Sequence, residues 1–215
     1  MKKRAFVLLL LAAALVSPMF AADALVSEVS GKVEYRLGTG AWQAVSSGLQ
    51  LDLNATISTG FGASAVIRIG EAANGSVLEV GQLTRLTLEE LVEREGTLST
   101  NIFVPVGRVR ATVNTSVGRS ADFRVRGPLS TAAVRGTGFE TNGWQLSVTE
   151  GVVEFANALG EGRAVSPGQV SVTTGGTPTD PADELDGMAD IGDGEGPDDF
   201  GDGSASSGYV TVKWQ

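Results

Sequence analysis

The most informative stretch of the sequence is Phe123-Arg-Val-Arg-Gly-Pro-Leu-Ser-Thr-Ala-Ala-Val-Arg-Gly-Thr-Gly-Phe139. From Phe123 to Arg126 apolar and charged residues alternate, which is typical of a β-strand with one packed face and one solvated face. Gly127 and Pro128 then indicate a turn. The stretch therefore predicts a strand and a turn that lead into the glycine-containing motif ending at Phe139.

The same alternation recurs along the chain, in residues 32–36, 65–69, 108–113 and 145–149. Gly, Asn, Ser or Thr residues separate these runs about every eight to twelve residues, as expected of short strands joined by turns. Residues 84–95 fit neither the helical nor the strand period cleanly, and we expect a strand followed by a turn. The sequence thus predicts an all-β domain.

An internal repeat relates the two ends of this domain. An offset of 120 residues aligns residues 27–48 with residues 147–168, with identical Gly, Val-Glu and Ala-Val-Ser residues at matching places. We expect the first and last hairpins to be equivalent units that close the two ends of one sheet system.

The N-terminus has the pattern of a secretory signal peptide. Basic residues 2–4 precede an apolar run over residues 5–16, which is too short for a membrane helix of about 20 residues. We predict that residues 1–24 form a signal peptide cleaved at its end, with cleavage after Ala21 or Ala22 as alternatives. The protein is then exported to the periplasm, the cell surface or the medium. No second apolar run approaches membrane length, so an integral membrane protein is not expected.

Charge divides the rest of the chain. Residues 25–176 contain 14 acidic and 12 basic residues, whereas residues 177–203 contain 10 acidic residues and no basic one. The acidic stretch is rich in Gly, Asp and Pro and has few large apolar residues, which favours disorder. We therefore predict an all-β domain over 25–176, a disordered acidic linker over 177–208, and a strand-like terminal segment over 209–215.

The composition excludes much of catalytic chemistry. The chain has no His and no Cys, so triads with a His base, thiolate nucleophiles and ordinary zinc sites cannot be built. Carboxylate-only hydrolysis survives as a distant alternative. We expect no catalytic residue, no metal and no cofactor.

The order of these elements resembles the FecR domain of bacterial iron-dicitrate regulators. The motifs that carry the resemblance are Gly31-Lys-Val33, Ser58-Thr-Gly60 through Ala65-Val-Ile67, Gly107-Arg-Val109, Val134-Arg-Gly-Thr-Gly-Phe139, Val148-Thr-Glu-Gly-Val-Val153 and Ser166-Pro-Gly-Gln169. The resemblance covers about residues 26–173.

The resemblance implies a single β-sandwich, jelly-roll-like or short solenoid-like, used outside the cytoplasm in signalling or ligand binding. The regulators carry a cytoplasmic anti-sigma segment and a membrane helix ahead of this domain. This chain has an apparent signal peptide there, so it is similar to the stand-alone exported type and an anti-sigma role is not supported.

Arginines form the leading candidate site. Arg108 and Arg110 share a strand face, as do Arg124 and Arg126, because side chains two residues apart point the same way. With Arg135 they predict a groove for an anionic partner: an acidic glycan, an acidic protein segment or the protein's own tail. A solvated face is the alternative. The intervening residues expected to face the core are Val109, Ala111, Val113, Phe123 and Val125.

The motif Arg135-Gly136-Thr137, followed by Phe139, has two interpretations. It could form an anion pocket, because an arginine fork would lie beside Gly and Thr backbone groups. The structural interpretation is a tight turn at Gly136, capped by Thr137, with Arg135 bonded to buried carbonyls. We favour the structural role. The turn-flanking Trp42 and Trp144 are expected at core edges, with a sugar platform as the alternative.

Together these features predict an exported, non-enzymatic binding or sensing module of the bacterial envelope, with signalling as one option for its role. Its expected partner is an envelope protein or an acidic glycan, and nucleic acid is disfavoured by export and by the net charge of −9. A structural envelope protein is the alternative function.

Overall fold

A computed structural model describes residues 24–70, 75–115 and 120–183, and in these ranges every regular element is a β-strand. The prediction of an all-β fold is confirmed. The strands in chain order are β1 (Ala24–Ser30), β2 (Val33–Leu37), β3 (Gln43–Ala44), β4 (Ala55–Thr59), β5 (Ser64–Ile69), β6 (Ser76–Val80), β7 (Arg85–Arg94), β8 (Thr97–Val106), β9 (Val109–Thr112), β10 (Ser120–Arg126), β11 (Ser130–Val134), β12 (Gly138–Thr141), β13 (Gln145–Glu150), β14 (Val153–Asn157), β15 (Gly162–Val165), β16 (Gln169–Val172) and β17 (Ala182–Asp183).

The strands form two sheets, and both sheets gain strands as the chain proceeds. Sheet A has the order β1-β5-β6-β9-β12-β13-β16-β17, and sheet B has the order β15-β14-β11-β10-β8-β7-β4-β2-β3. The chain crosses repeatedly from one sheet to the other and adds strands in nearly sequential order to both. Of the two architectures implied by the resemblance, this progression matches the short solenoid, flattened into a sandwich.

The core lies between the two sheets and is formed by the inward side chains of both. Phe123 and Phe155 from sheet B and Phe139 from sheet A are among the largest fully buried side chains. All five residues predicted to face the core are at most 4% exposed. Period-2 alternation therefore identified the packed face of each strand correctly.

Residues 84–95 form a strand and a turn, as predicted. Strand β7 ends at Arg94, and Glu95 and Gly96 follow with φ of 50° and 75°. These two left-handed residues reverse the chain into β8, which pairs with β7 in antiparallel register.

The internal repeat corresponds to two equivalent crossings between the sheets that run in opposite directions, because five antiparallel pairings separate β1 from β13. The offset of 120 residues superposes β1, β2 and β3 on β13, β14 and β15 in sequence, and each set crosses from sheet A into sheet B. Gly31 and Gly151, at the crossings, have φ of 71° and 72°. The two units lie at opposite ends of sheet B, whereas in sheet A two further strands follow β13.

The body continues past the predicted boundary at Gly176. The amide of Thr179 donates to the carbonyl of Val172 (2.8 Å), Ser171 Oγ donates to the carbonyl of Thr179 (2.8 Å), and β17 pairs with β16. The polar segment stays on the body because these hydrogen bonds satisfy its backbone. The remainder of the predicted linker, the terminal segment and residues 1–23 of the predicted signal peptide lie outside the described residues.

Candidate functional site

Arg108 and Arg110 lie on the outer face of sheet A and converge on one carboxylate. Arg108 Nη1 is 2.8 Å from Glu140 Oε1, and Arg110 Nη2 is 2.8 Å from Glu140 Oε2. Arg110 also reaches Glu79 at 3.8 Å. Beside this cluster is a shallow polar cavity of about 300 Å³, lined also by Thr141, Asn142, Gln145, Ser147 and Thr149.

Arg124 and Arg126 lie on the outer face of sheet B. Arg124 Nη2 is 2.9 Å from Asp122 Oδ2, and Arg126 Nη2 is 2.6 Å from Glu89 Oε2. The Arg126 guanidinium also lies 5.3 Å from the ring centroid of Phe103. Both arginines are therefore already paired with carboxylates.

The four strand arginines do not form one groove. Arg108 and Arg110 belong to sheet A and Arg124 and Arg126 to sheet B, so the two pairs point away from the shared core in opposite directions. The interpretation as a single stripe is wrong in this respect. Alternation identifies outward side chains but not the sheet that carries them, and the chain changes sheets between β9 and β10.

The motif at 135–139 is a bend between the sheets. Gly136 has φ of 94°, the amide of Val113 donates to the carbonyl of Thr137 (2.8 Å), and Phe139 is fully buried. Arg135 is exposed and bonds no buried carbonyl among the described residues, and Thr137 Oγ1 is buried without a partner there. The turn and the buried Phe139 support a structural role. The predicted hydrogen bonds from Arg135 to buried carbonyls and the predicted cap by Thr137 are not observed among the described residues.

A surface that the alternation of apolar and polar residues could not predict lies along one edge of the sandwich. Large apolar side chains exposed in the turns of this edge include five that we call the apolar loop edge: Phe61 (86% exposed), Leu83 (58%), Val106 (55%), Leu129 (38%) and Trp144 (47%). Trp144 is therefore a surface residue rather than a core-edge residue.

Hydrogen bonds tie the turns of the apolar loop edge together. The amide of Leu83 donates to the carbonyl of Gly60 (3.2 Å), and the amide of Gly81 donates to the carbonyl of Arg108 (3.0 Å). Ser130 Oγ donates to the carbonyl of Gly143 (2.9 Å), which joins the β10–β11 turn to the β12–β13 turn. The edge is thus a continuous surface held by backbone contacts.

The middle of the apolar loop edge is concave. A cavity of about 710 Å³ opens there, with an apolar wall that comprises Leu83, Pro105, Val106, Pro128, Leu129 and Trp144. Arg108 lines this cavity as well as the polar one, so one predicted site residue stands where the two surfaces meet. The sequence signal that could have found the edge is an apolar residue next to glycine in a turn, as in Val106-Gly107 and Gly143-Trp144.

The described residues offer no assembled metal site. No group of three or more carboxylate, His or Cys side chains comes together within residues 24–70, 75–115 and 120–183. The described surface thus combines an apolar turn edge with ion-paired outer faces.

Comparison with known proteins identifies the family. Residues 55–154 match the family described as FecR protein, so the chain carries a FecR domain over these residues, and the predicted resemblance is confirmed. No curated protein sequence matches the chain significantly. Two crystal structures of a candidate anti-sigma factor from Parabacteroides distasonis are similar in fold, each with 17% identity and a TM-score of 0.47. The similarity covers 63% of this chain and 63% or 64% of those chains, which is less than two thirds of their length.

The family gives the coarse functional class, a sensing or signalling module associated with the bacterial envelope. Among the residues that the structure describes, none belongs to a helix long and apolar enough to cross a lipid bilayer.

Proposed function

We propose that this chain is an exported, non-enzymatic sensing module that binds a protein partner of the envelope through its apolar loop edge. The observation that carries the proposal is the row of exposed apolar side chains around the 710 Å³ cavity. Contiguous apolar surface is costly to leave in water and marks interaction sites on soluble domains.

The chemistry of the edge suits an extended apolar segment of a protein. Trp144 supplies a large, stiff contact surface with an indole N–H donor, and such residues dominate binding energy at interfaces. Pro105 and Pro128 stiffen the turns that form the wall, so little conformational entropy is lost when a partner binds.

The predicted arginines suit an acidic partner less well. Arg108, Arg110, Arg124 and Arg126 each have a carboxylate within 4 Å, so an acidic glycan or protein segment would have to displace a resident acid. An acidic partner at these residues and at Arg135 remains a second proposal. A purely structural role in the envelope is the third.

Site-specific photo-crosslinking tests the leading proposal. A photo-reactive amino acid is placed at Leu129 or at Trp144, and at Leu37 and Val152 as controls. The controls are 52% and 55% exposed. They lie at the edge of the sandwich opposite the apolar loop edge, Leu37 at the end of β2 and Val152 between β13 and β14. We expect one defined protein adduct from the two test positions, formed in intact cells and absent from the controls.

Three results would contradict this proposal. Equal adducts from all four positions would indicate unspecific collision, and adducts with wall or membrane material from test and control sites alike would support the structural role. Absence of any adduct at Leu129 and Trp144 would leave the apolar loop edge without a protein partner and refute the proposal.

A further inference from the structure

A second site with different chemistry lies on the outer face of sheet B, around Trp42. The guanidinium carbon of Arg36 is 4.7 Å from the centroid of the Trp42 ring, and that of Arg85 is 5.7 Å from the same centroid. Trp42 remains 36% exposed. Two cations thus share one aromatic ring at the surface.

No carboxylate among the described residues neutralises this pair. Neither Arg36 nor Arg85 has an acidic oxygen within 4 Å, in contrast to the four arginines discussed above. The nearby acids are engaged elsewhere, because Glu34 pairs with Lys32 (3.1 Å) and Glu89 pairs with Arg126 (2.6 Å). The cluster therefore carries two guanidinium groups without a direct ion-pair partner among the described residues, and these like charges repel each other and favour an added anion.

An unused hydrogen-bond donor points to the same conclusion. Arg36 Nε is buried and has no acceptor in the described part of the chain. A buried donor left without a partner costs free energy. An oxyanion that reaches this edge of the guanidinium, once a neighbouring side chain moves aside, would remove that cost with a charge-assisted hydrogen bond.

The surroundings are those of a sugar-binding surface rather than of an ion site alone. Arg36, Thr56 and Thr87 lie side by side in one row across β2, β4 and β7, and the two threonine hydroxyls are hydrogen-bonded at 2.9 Å. Exposed indole surface can pack on the C–H groups of a pyranose, the hydroxyl of the partly exposed Thr87, held by the buried Thr56, can bond a sugar hydroxyl, and guanidinium groups match a carboxylate.

We propose that Arg36, Trp42 and Arg85 form a binding site for a saccharide that carries a carboxylate, of the uronic acid class. The two arginines bind the carboxylate and the exposed part of the indole packs on the sugar ring. This site is distinct from the apolar loop edge and does not depend on it.

The chain's own acidic stretch is poorly placed to occupy this site. The acidic stretch follows strand β17, which is the last strand of sheet A. At the same end of the sandwich, sheet B ends with β15, which is eight strand intervals from β3 beside Trp42. At about 4.8 Å per interval the separation is roughly 38 Å. The described chain therefore ends far from the Trp42 cluster. An external ligand is therefore favoured.

Isothermal titration calorimetry with the full exported chain tests the proposal. The probes are trigalacturonate, its methyl ester, which keeps the sugars but lacks the charge, and a deca-aspartate peptide. We expect trigalacturonate to bind, the ester and the peptide to bind at least tenfold more weakly, and binding to weaken as salt is raised.

The variants are matched in charge. Arg36→Gln with Arg85→Gln should lower the affinity for trigalacturonate at least tenfold, because each charge-assisted hydrogen bond contributes strongly. The control, Arg68→Gln with Arg94→Gln, removes two exposed arginines elsewhere and should leave the affinity within about twofold. Should the first variant fail to fold, Arg85→Lys keeps the charge and removes the fork, and a loss of severalfold is expected.

Three outcomes would overturn the proposal. Trigalacturonate that shows no heat of binding at millimolar concentration has no site on this protein. An equal loss in the control variant would show that only net charge matters. Tighter binding of deca-aspartate than of trigalacturonate would assign the cluster to an acidic peptide instead of a saccharide.

Discussion

Thr84 shows how a single buried side chain holds the apolar loop edge in place. It is 1% exposed, and its amide donates to Thr59 Oγ1 (2.9 Å) while the amide of Thr59 donates to the Thr84 carbonyl (2.9 Å). Thr84 Oγ1 accepts from the amide of Arg108 (3.0 Å). One threonine thus connects the turns that carry Phe61, Leu83 and Val106, and buried hydrogen bonds of this kind are costly to lose.

Gly107 is the residue that makes room for Thr84. Its φ is 99°, and a Cβ there would lie 2.3 Å from both Cα and Oγ1 of Thr84. We expect Gly107→Ala to lower the free energy of unfolding by about 3 kcal/mol or more, from backbone strain plus overlap. Gly48→Ala is the matched control, because Gly48 has φ of 91° and no atom within 4 Å of an added Cβ. Its cost should be about 1 kcal/mol, the strain alone.

Urea denaturation of both variants measures this difference. Equal losses for Gly107→Ala and Gly48→Ala would contradict the proposed overlap with Thr84.

At the level of strands, the sequence predicts which side of a strand faces inward but not where the strand lies. The alternation in 108–113 and 123–126 predicted five core residues correctly. It grouped Arg108 with Arg124 incorrectly, because sheet assignment depends on crossings such as the one between β9 and β10. The turns of the apolar loop edge have no periodicity at all, so their convergence follows from topology alone.

The connection from β16 to β17 is held by a carboxylate with a lowered pKa. Thr177 Oγ1 donates to Glu161 Oε2 (2.8 Å), and Asn157 Nδ2 donates to the same oxygen (2.9 Å). Both hydrogen bonds stabilise the ionised form and hold the pKa of Glu161 below its ordinary value of 4.5, and the bond from Thr177 has the larger effect. The contribution to stability is therefore present above pH 4.5 and is lost as the pH falls through the lower pKa of the folded state.

We expect acid to loosen residues 177–183 before the rest of the fold. Amide hydrogen exchange of this segment, compared between pH 6 and pH about 3 after correction for intrinsic rates, should show faster opening in acid. Glu161→Gln keeps an acceptor and removes the titration, so its opening should change less with pH. The Arg163–Asp180 ion pair is present in both proteins, and the comparison thus isolates Glu161. The same pH dependence in wild type and variant would rule Glu161 out.

For the whole molecule, the ends of the sheets are protected against pairing with another chain. Strands β3 and β17 have two residues each. The outer edge of β1 is covered by residues 48–51, because the amides of Gly48 and Leu51 donate to the carbonyls of Val26 (2.8 Å) and Ala24 (2.7 Å). Short or covered edges disfavour strand addition. Recognition through turns and sheet faces is therefore favoured over the addition of a partner strand, including the strand-like segment 209–215.

The beginning of β1 refines the predicted site of signal-peptide cleavage. Ala24 is 1% exposed, pairs with Ile69 and accepts the hydrogen bond from the Leu51 amide. Cleavage after Ala24 would remove this residue and place a charged amino group at the buried start of the sheet, which is costly. Cleavage after Ala21 or Ala22 keeps the strand whole. We therefore expect intact-mass spectrometry of protein from the cell envelope or medium to give a mature chain that begins at Ala22 or Asp23. A chain that begins at Leu25 would show that β1 tolerates the loss of Ala24, and full-length protein in the cytosol alone would contradict export.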